Sequence, residues 1–189
     1  MDKGVYFRES RGGYVSKRRF AACGSKGICE IKNITTLDMD GIPKDRLYYE
    51  MQPVLKAGSR VFVPVGQEDG KNAMRRILDE KEAAQLLSSM REEEIEWEPD
   101  DRRREEQYKG IINENRAAGM LALIRYVCVK RKARALKGRR LPSMDERYLK
   151  AAQEHLYTEL SISMKVSAEE IRAYVESRLR LPEGTLRSL

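Results

Sequence analysis

Between Phe20 and Val65 apolar and polar positions alternate with a period of two. This predicts short strands over RFAAC, ICEIKNITTL, LYYEMQPV and RVFVPV, all enriched in β-branched and aromatic residues. The breaks between them are turn-like. GSKG supplies two glycines able to take positive φ, DMDG ends on a glycine that suits a hairpin, and KAGS separates the last two strands. After Gly66 the period lengthens. Met74, Ile77 and Leu78 fall on one helical face, and Asp79 with Glu82 forms a capping box ahead of Ala83, Leu86, Leu87 and Met90.

The remainder reads as helix. Tyr108, Ile111 and Ile112 mark one amphipathic helix; Met120, Leu123, Ile124, Val127 and Cys128 mark a second, which continues into VKRKARALKGRRLPSMDE. Gly119 and Gly138 punctuate them. Ser143 to Glu146 and Ser167 to Glu170 each match the S-x-x-E capping box, so two more helices are expected near Met144 and Ala168. The first carries Leu149, Ala152, Leu156 and Leu160 inward, the second Ile171, Tyr174, Val175 and Leu179. The predicted fold class is α+β: a small antiparallel Tudor/SH3-like β-barrel, then an all-helical bundle of four helices. The expected division is an N-terminal extension over 1–18, the barrel with short helices over 19–92, an acid-rich linker over 93–101 and the helical domain over 102–189.

Composition locates the charge. Lys and Arg number 37 against 30 acids, a net charge of +7. The acids cluster in REEEIEWEPDD around Trp97, and the positive field belongs to the second half. No apolar run reaches the length of a membrane span or of a signal peptide's core, so a cytoplasmic protein without membrane contact is expected. Cys23, Cys29 and Cys128 are odd in number and lack CxxC spacing, so neither a disulfide framework nor a metal site is expected.

Candidate catalytic chemistry is sparse. The sole histidine, His155, lies beside Ala151, Ala152 and Glu159 at helical spacing, the setting of a packing residue. There is no Walker loop, no G-x-G-x-x-G and no nucleophile elbow, so no enzyme activity and no cofactor are expected. Binding is better supported. A partly open barrel offers strand edges to a partner, and the cations of VKRKARALKGRRLPSMDE suit either a polyanion or a solvated helix end.

The segments GSKGICEIKNI, DRLYYEMQPV, RVFVPV, MRRILDEKEA and LIRYVCVKRKARALKGRRLPSMDERYLKAAQEHLYTEL together resemble the CarD family of bacterial transcription regulators, also called CdnL. The similarity runs from about Arg19 to Leu179, and the order of the blocks carries it. The resemblance implies a Tudor-like domain that binds the RNA polymerase β subunit, joined to a helical domain that contacts promoter DNA at the upstream edge of the bubble and favours the open complex. It implies no cofactor and no small-molecule substrate. An edge strand of the barrel would extend a sheet in the polymerase, which places Ile34, Thr35, Thr36, Leu37, Arg60, Phe62 and Pro64 at the contact. Leu37 and Phe62 stand near positions where other members carry arginine.

The family's wedge tryptophan lies four residues before a Tyr-Lys pair. Tyr108 and Lys109 match the pair, Arg104 stands at the tryptophan position, and Trp97 is the only tryptophan. Three arrangements fit: Trp97 fills the wedge site through an insertion, the site is basic here, or Trp97 covers a domain interface. The first is taken as the expectation. The expected DNA surface is then Trp97, Arg102, Arg103, Arg104, Lys109, Lys130, Arg131, Lys132, Lys137, Arg139 and Arg140 of a monomer held at the nucleoid through polymerase. The alternatives are a protein–protein adaptor whose basic helices serve only solubility, and a relative of the transcription-repair coupling factor, whose helicase motifs this chain lacks.

Overall fold

The computed structural model describes residues 6–8, 14–16, 20–38, 46–66, 74–89 and 95–179. The chain forms two compact units, Met1–Ile77 and Leu78–Leu189. Among the described residues the first holds all the strands. β1 (Tyr6–Arg8) and β2 (Tyr14–Ser16) form a hairpin within the expected N-terminal extension, with Phe7 opposite Val15. β3 (Phe20–Cys23), β4 (Ile28–Thr36), β5 (Leu47–Pro53), β6 (Val61–Pro64) and β7 (Met74–Arg76) form one antiparallel sheet in the order β6-β5-β4-β3-β7.

Four of these strands match the alternation read from the sequence. The turns do too: Gly24 and Gly27 of GSKG have φ of 42° and 74°, and Gly58 of KAGS has 83°. The turn expected at DMDG lies almost wholly outside the described residues. Register shifts in β4 between Ile31 and Asn33, where Lys32 is the extra residue of a bulge. Cys29 and Ile31 face the core with strict alternation. The bulge then returns Ile34 to that same face, where it packs against Tyr49, Met51 and Val63.

Met74, expected on a helix, lies instead in β7. Its segment pairs with β3, Cys23 opposite Met74 and Ala22 opposite Arg75. Three residues cannot complete a helical turn's worth of bonds, whereas β3 offers an unpaired ladder on its outer side. The helix starts where the capping box says. Asp79 accepts from the Glu82 amide at 2.9 Å and the Glu82 carboxylate accepts from the Asp79 amide at 2.8 Å, opening α1 (Glu80–Ser88).

α1 belongs to the second unit, not to the strands as its place in the expected 19–92 domain implied. Ala83 and Leu87 are buried in the helical core, and Leu78 is tied to that unit by its amide to Glu159 Oε1 at 2.9 Å and its carbonyl to Ser163 Oγ at 2.6 Å. α2 (Asp101–Glu114), α3 (Ala117–Ala135), α4 (Ser143–Met164) and α5 (Ala168–Arg178) complete it, so α1 joins the four expected helices in one core. α5 opens on the expected Ser167–Glu170 capping box. α4 does not use Ser143 as a cap: its N-cap is Pro142, with Glu146 N–H donating to the Pro142 carbonyl at 3.1 Å. Asp145 lies in the first turn, buried among cations. Leu149, Ala152, Leu156 and Leu160 face inward as expected, and so do Ile171 and Val175. Tyr174 does not; its hydroxyl accepts from Arg178 Nε at 3.1 Å on the surface.

Candidate nucleic-acid interface

α2 and α3 run antiparallel. Ile111, in the last turn of α2, lies against Gly119 in the first turns of α3, where a Cβ would sit 3.3 Å from the Ile111 side chain. The start of α2, the second half of α3 and the start of α4 therefore meet at one end of the helical unit. Asp145 is their common point. Fully buried, it accepts from Tyr108 Oη at 2.9 Å, faces Lys130 Nζ at 2.7 Å and lies 4.0 Å from Arg104 Nε. Burial, then the Asp145 carboxylate, drive the Tyr108 hydroxyl pKa well above its ordinary value, so Tyr108 stays a neutral donor.

Arg104 is a correction to the expected DNA surface. It is 4% exposed, and its guanidinium donates to the carbonyls of Glu98 and Pro99, each at 3.0 Å, and to Asp101. A side chain buried against a loop's carbonyls and acids of its own unit does not reach a phosphate at the surface. Gln107 fastens the same loop, donating to the Glu96 carbonyl at 2.8 Å and accepting from the Glu98 amide at 3.3 Å. The loop holds Trp97, whose ring stacks on Tyr126 at 4.5 Å with 17° between planes and meets Tyr108 edge-on at 5.6 Å. Trp97 is half-buried against the helical core, and Lys130 lies 5.8 Å from the Tyr126 ring centroid.

The remaining expected DNA contacts divide by partner. Lys130 is paired with Asp145, Lys109 faces Glu105 at 3.4 Å, and Arg131 is half-buried with partners within the protein. Arg102, Arg103, Lys132, Lys137, Arg139 and Arg140 are exposed, and their side chains make no ion pair among the described residues. Arg102 and Arg103 stand in the first turn of α2, the other four in the last turn of α3 and the bend after it. All six lie at the end of the unit that Asp145 marks.

The bend is held firmly. Arg139 N–H donates to the Arg134 carbonyl at 2.9 Å across Gly138, whose φ of 63° favours a glycine, and Arg134 Nε donates to the Arg140 carbonyl at 2.7 Å. Leu141, buried, anchors the exit into α4. Nothing local marks Tyr126 or Asp145 as the partners of Trp97 and Lys130. Asp145 stands inside the S-x-x-E match at a helix start, and its four-residue spacing from the inward Leu149 is the one signal that could have placed it on the buried face.

In the strand unit, the residues expected at a polymerase contact fall on two sides of the sheet. Thr35, Tyr48 and Pro64 form one cross-strand row and Asn33, Glu50 and Phe62 the next, on the face away from the core. Phe62 is 38% exposed, and Arg60 reaches Glu50 at 3.0 Å. Ile34 points to the core, Thr36 lies exposed opposite Leu47, and Leu37 follows the end of the strand. Among the described residues β6 pairs with β5 alone, and β4 beyond Glu30 pairs with β5 alone.

His155 is buried in α4. Cys23, Cys29 and Cys128 are free and buried, and among the described residues no group of His, Cys, Asp or Glu is arranged to hold a metal ion. No helix among the described residues is long and apolar enough to cross a membrane. No protein-family model matches the chain, and no curated protein is significantly similar to it.

Proposed function

We propose that the chain is a regulator of bacterial transcription initiation, in which the helical unit contacts promoter DNA at the upstream edge of the bubble while the strand unit binds the polymerase β subunit. The observation that supports it most is the group of six uncompensated cations at one end of the helical unit: Arg102, Arg103, Lys132, Lys137, Arg139 and Arg140. Cations that a protein keeps for its own stability sit beside acids, as Arg104 and Lys130 do; these six face solvent. The order of sequence blocks shared with the CarD family supplies the polymerase, and the five-stranded sheet is read as that family's Tudor-like domain.

In this scheme a backbone edge, β6 or the far half of β4, adds to a strand of the polymerase. Location then comes from the polymerase, so the helical unit needs only moderate phosphate contacts that do not depend on sequence. No catalysis, cofactor or metal has a part in it, and the protein acts as a cytoplasmic monomer. The adaptor reading has one observation in its favour, the exposed Phe62 and Leu47 on the sheet, but it leaves the six cations without a role.

Footprinting of a bacterial polymerase–promoter complex with and without the full chain tests the proposal. Added protection at the upstream bubble edge, lost in Arg139→Ala/Arg140→Ala, supports it. A footprint unchanged by the protein, although the protein co-elutes with polymerase, supports the adaptor instead.

A further inference from the structure

Sulfur-bearing side chains from four strands share the core of the strand unit: Cys23, Cys29, Met51 and Met74 are all buried in one cluster. The pairing of β3 with β4 sets Ala21 opposite Cys29, so Cys23, two residues on, is the diagonal neighbour of Cys29 on the same face. Their thiols are in hydrogen-bond contact. Cys23 Sγ also lies 3.8 Å from Met51 Sδ, which β5 supplies. Met74 stands directly opposite Cys23 on β7. The other buried members of the cluster are Ala21, Ile31, Tyr49 and Val63, so no carboxylate or imidazole competes with the sulfurs there.

We infer that Cys23, Cys29 and Met51 form a binding site for Cu(I), with two thiolates and one thioether as its ligands. Soft sulfur ligands select Cu(I), whereas a structural Zn(II) site takes four ligands from Cys, His and carboxylates and does not use a thioether. The spacing fits as well. A metal with bonds of about 2.3 Å to sulfur holds its ligands about 3.8–4.0 Å apart in tetrahedral or trigonal geometry, and Cys23 and Met51 already stand at 3.8 Å. Little is displaced, because the other contacts of the two thiols are long, 3.8 Å from Cys23 to the Ala21 carbonyl and 3.9 Å from Cys29 to the Gly27 carbonyl. Binding forms two thiolate–copper bonds and one thioether bond, releases both thiol protons to water and leaves the copper as Cu(I). The single negative charge that remains is met by Arg75 beside Cys23 and Lys26 beside Cys29. Entry is short: Cys23 ends β3, and the turn that follows it, Gly24–Lys26, has Ser25 and Lys26 at the surface. Hairpin pairing brings the two thiols together and β5 adds the third sulfur, so no C-x-x-C spacing marks the site. It draws on the strand unit alone and does not depend on the nucleic-acid reading.

The test uses the full chain, reduced and under nitrogen, titrated with Cu(I) against bathocuproine disulfonate, whose coloured complex reports the copper it takes. The wild type is expected to withhold one equivalent per chain. Cys23→Ala and Cys29→Ala should each abolish that retention. Met51→Leu, which keeps the volume, should weaken it about ten-fold, the low end of what a supporting group at a metal site contributes. Cys128→Ala, which removes the buried thiol of the helical unit, should leave it unchanged. X-ray absorption at the copper edge reads the wild-type site directly, with three sulfur neighbours expected at about 2.3 Å. If an alanine variant loses its fold, Met51→Leu and the absorption spectrum decide. A wild type that withholds no copper, an unchanged affinity in Cys29→Ala, an equal loss in Cys128→Ala, or nitrogen and oxygen neighbours in the spectrum overturns the site. Zn(II) held as tightly as Cu(I), measured against a chromogenic zinc chelator, overturns the assignment to Cu(I).

Discussion

Replacing Asp145 by asparagine keeps the shape of the side chain and removes its charge. The Tyr108 hydroxyl keeps an acceptor, but Lys130 Nζ, 2.7 Å away, and Arg104 Nε, 4.0 Å away, lose their counter-charge. Breaking a buried pair by removing one partner costs about 3–5 kcal/mol. Lys130 retains some access to water, with 21% of its side chain exposed, and Arg104 keeps Asp101 and two carbonyls, which lowers the expected cost to about 2–3 kcal/mol. Asp145→Ala also orphans the Tyr108 hydroxyl and should cost about 1–3 kcal/mol more. Urea unfolding followed by tryptophan emission suits the question, because Trp97 is the sole tryptophan and rests on Tyr108 and Tyr126. Lys130→Met combined with Asp145→Asn should recover at least about 1 kcal/mol relative to the sum of the two single changes. An Asp145→Asn protein within about 0.5 kcal/mol of the wild type, the span of an ordinary surface substitution, would refute the account of this cluster.

The Glu105 carboxyl is held below its ordinary range, first by the Tyr148 hydroxyl at 3.1 Å and then by Lys109 and Arg147. Its folded pKa lies below the unfolded one, so the stabilisation is present above the ordinary carboxylate range and is lost as pH falls through the folded value. A carboxyl-detected NMR titration should show this depressed midpoint, and Tyr148→Phe should move it upward; an unmoved midpoint would assign the effect elsewhere. Burial pushes the Cys128 thiol up to about 12, so N-ethylmaleimide at pH 8 should leave Cys128 unmodified in the native protein and modify it in urea. Native-state labelling at Cys128, read by peptide mass, would contradict the packing of α3 against its neighbours.

Legibility followed the range of the interaction that fixes each element. β3 to β6 were readable because alternation and turn glycines are local, and α1 and α5 because Asp79–Glu82 and Ser167–Glu170 cap themselves. β7 was not, since Met74–Arg76 is a strand only through its pairing with β3, far away in sequence. The same holds for the start of α4. Ser143 and Glu146 match a capping box, but the neutralisation of Lys130 by Asp145 depends on three helices coming together. Among the candidate site residues, the run of cations was evident, while the split between engaged and free ones was not. Arg104 and Arg103 are neighbours in sequence, and only the fold shows that one is buried against Glu98 and Pro99 while the other faces solvent.

The most direct test of the central claim is the lifetime of a bacterial polymerase–promoter open complex after a heparin challenge, measured with and without the full chain at increasing salt. The expected result is a longer lifetime with the protein, an extension that shrinks as salt rises, and a salt slope lowered by about one unit for each phosphate contact removed in Arg139→Ala/Arg140→Ala. A lifetime that the protein leaves unchanged, or extends equally after both arginines are removed, would contradict the account.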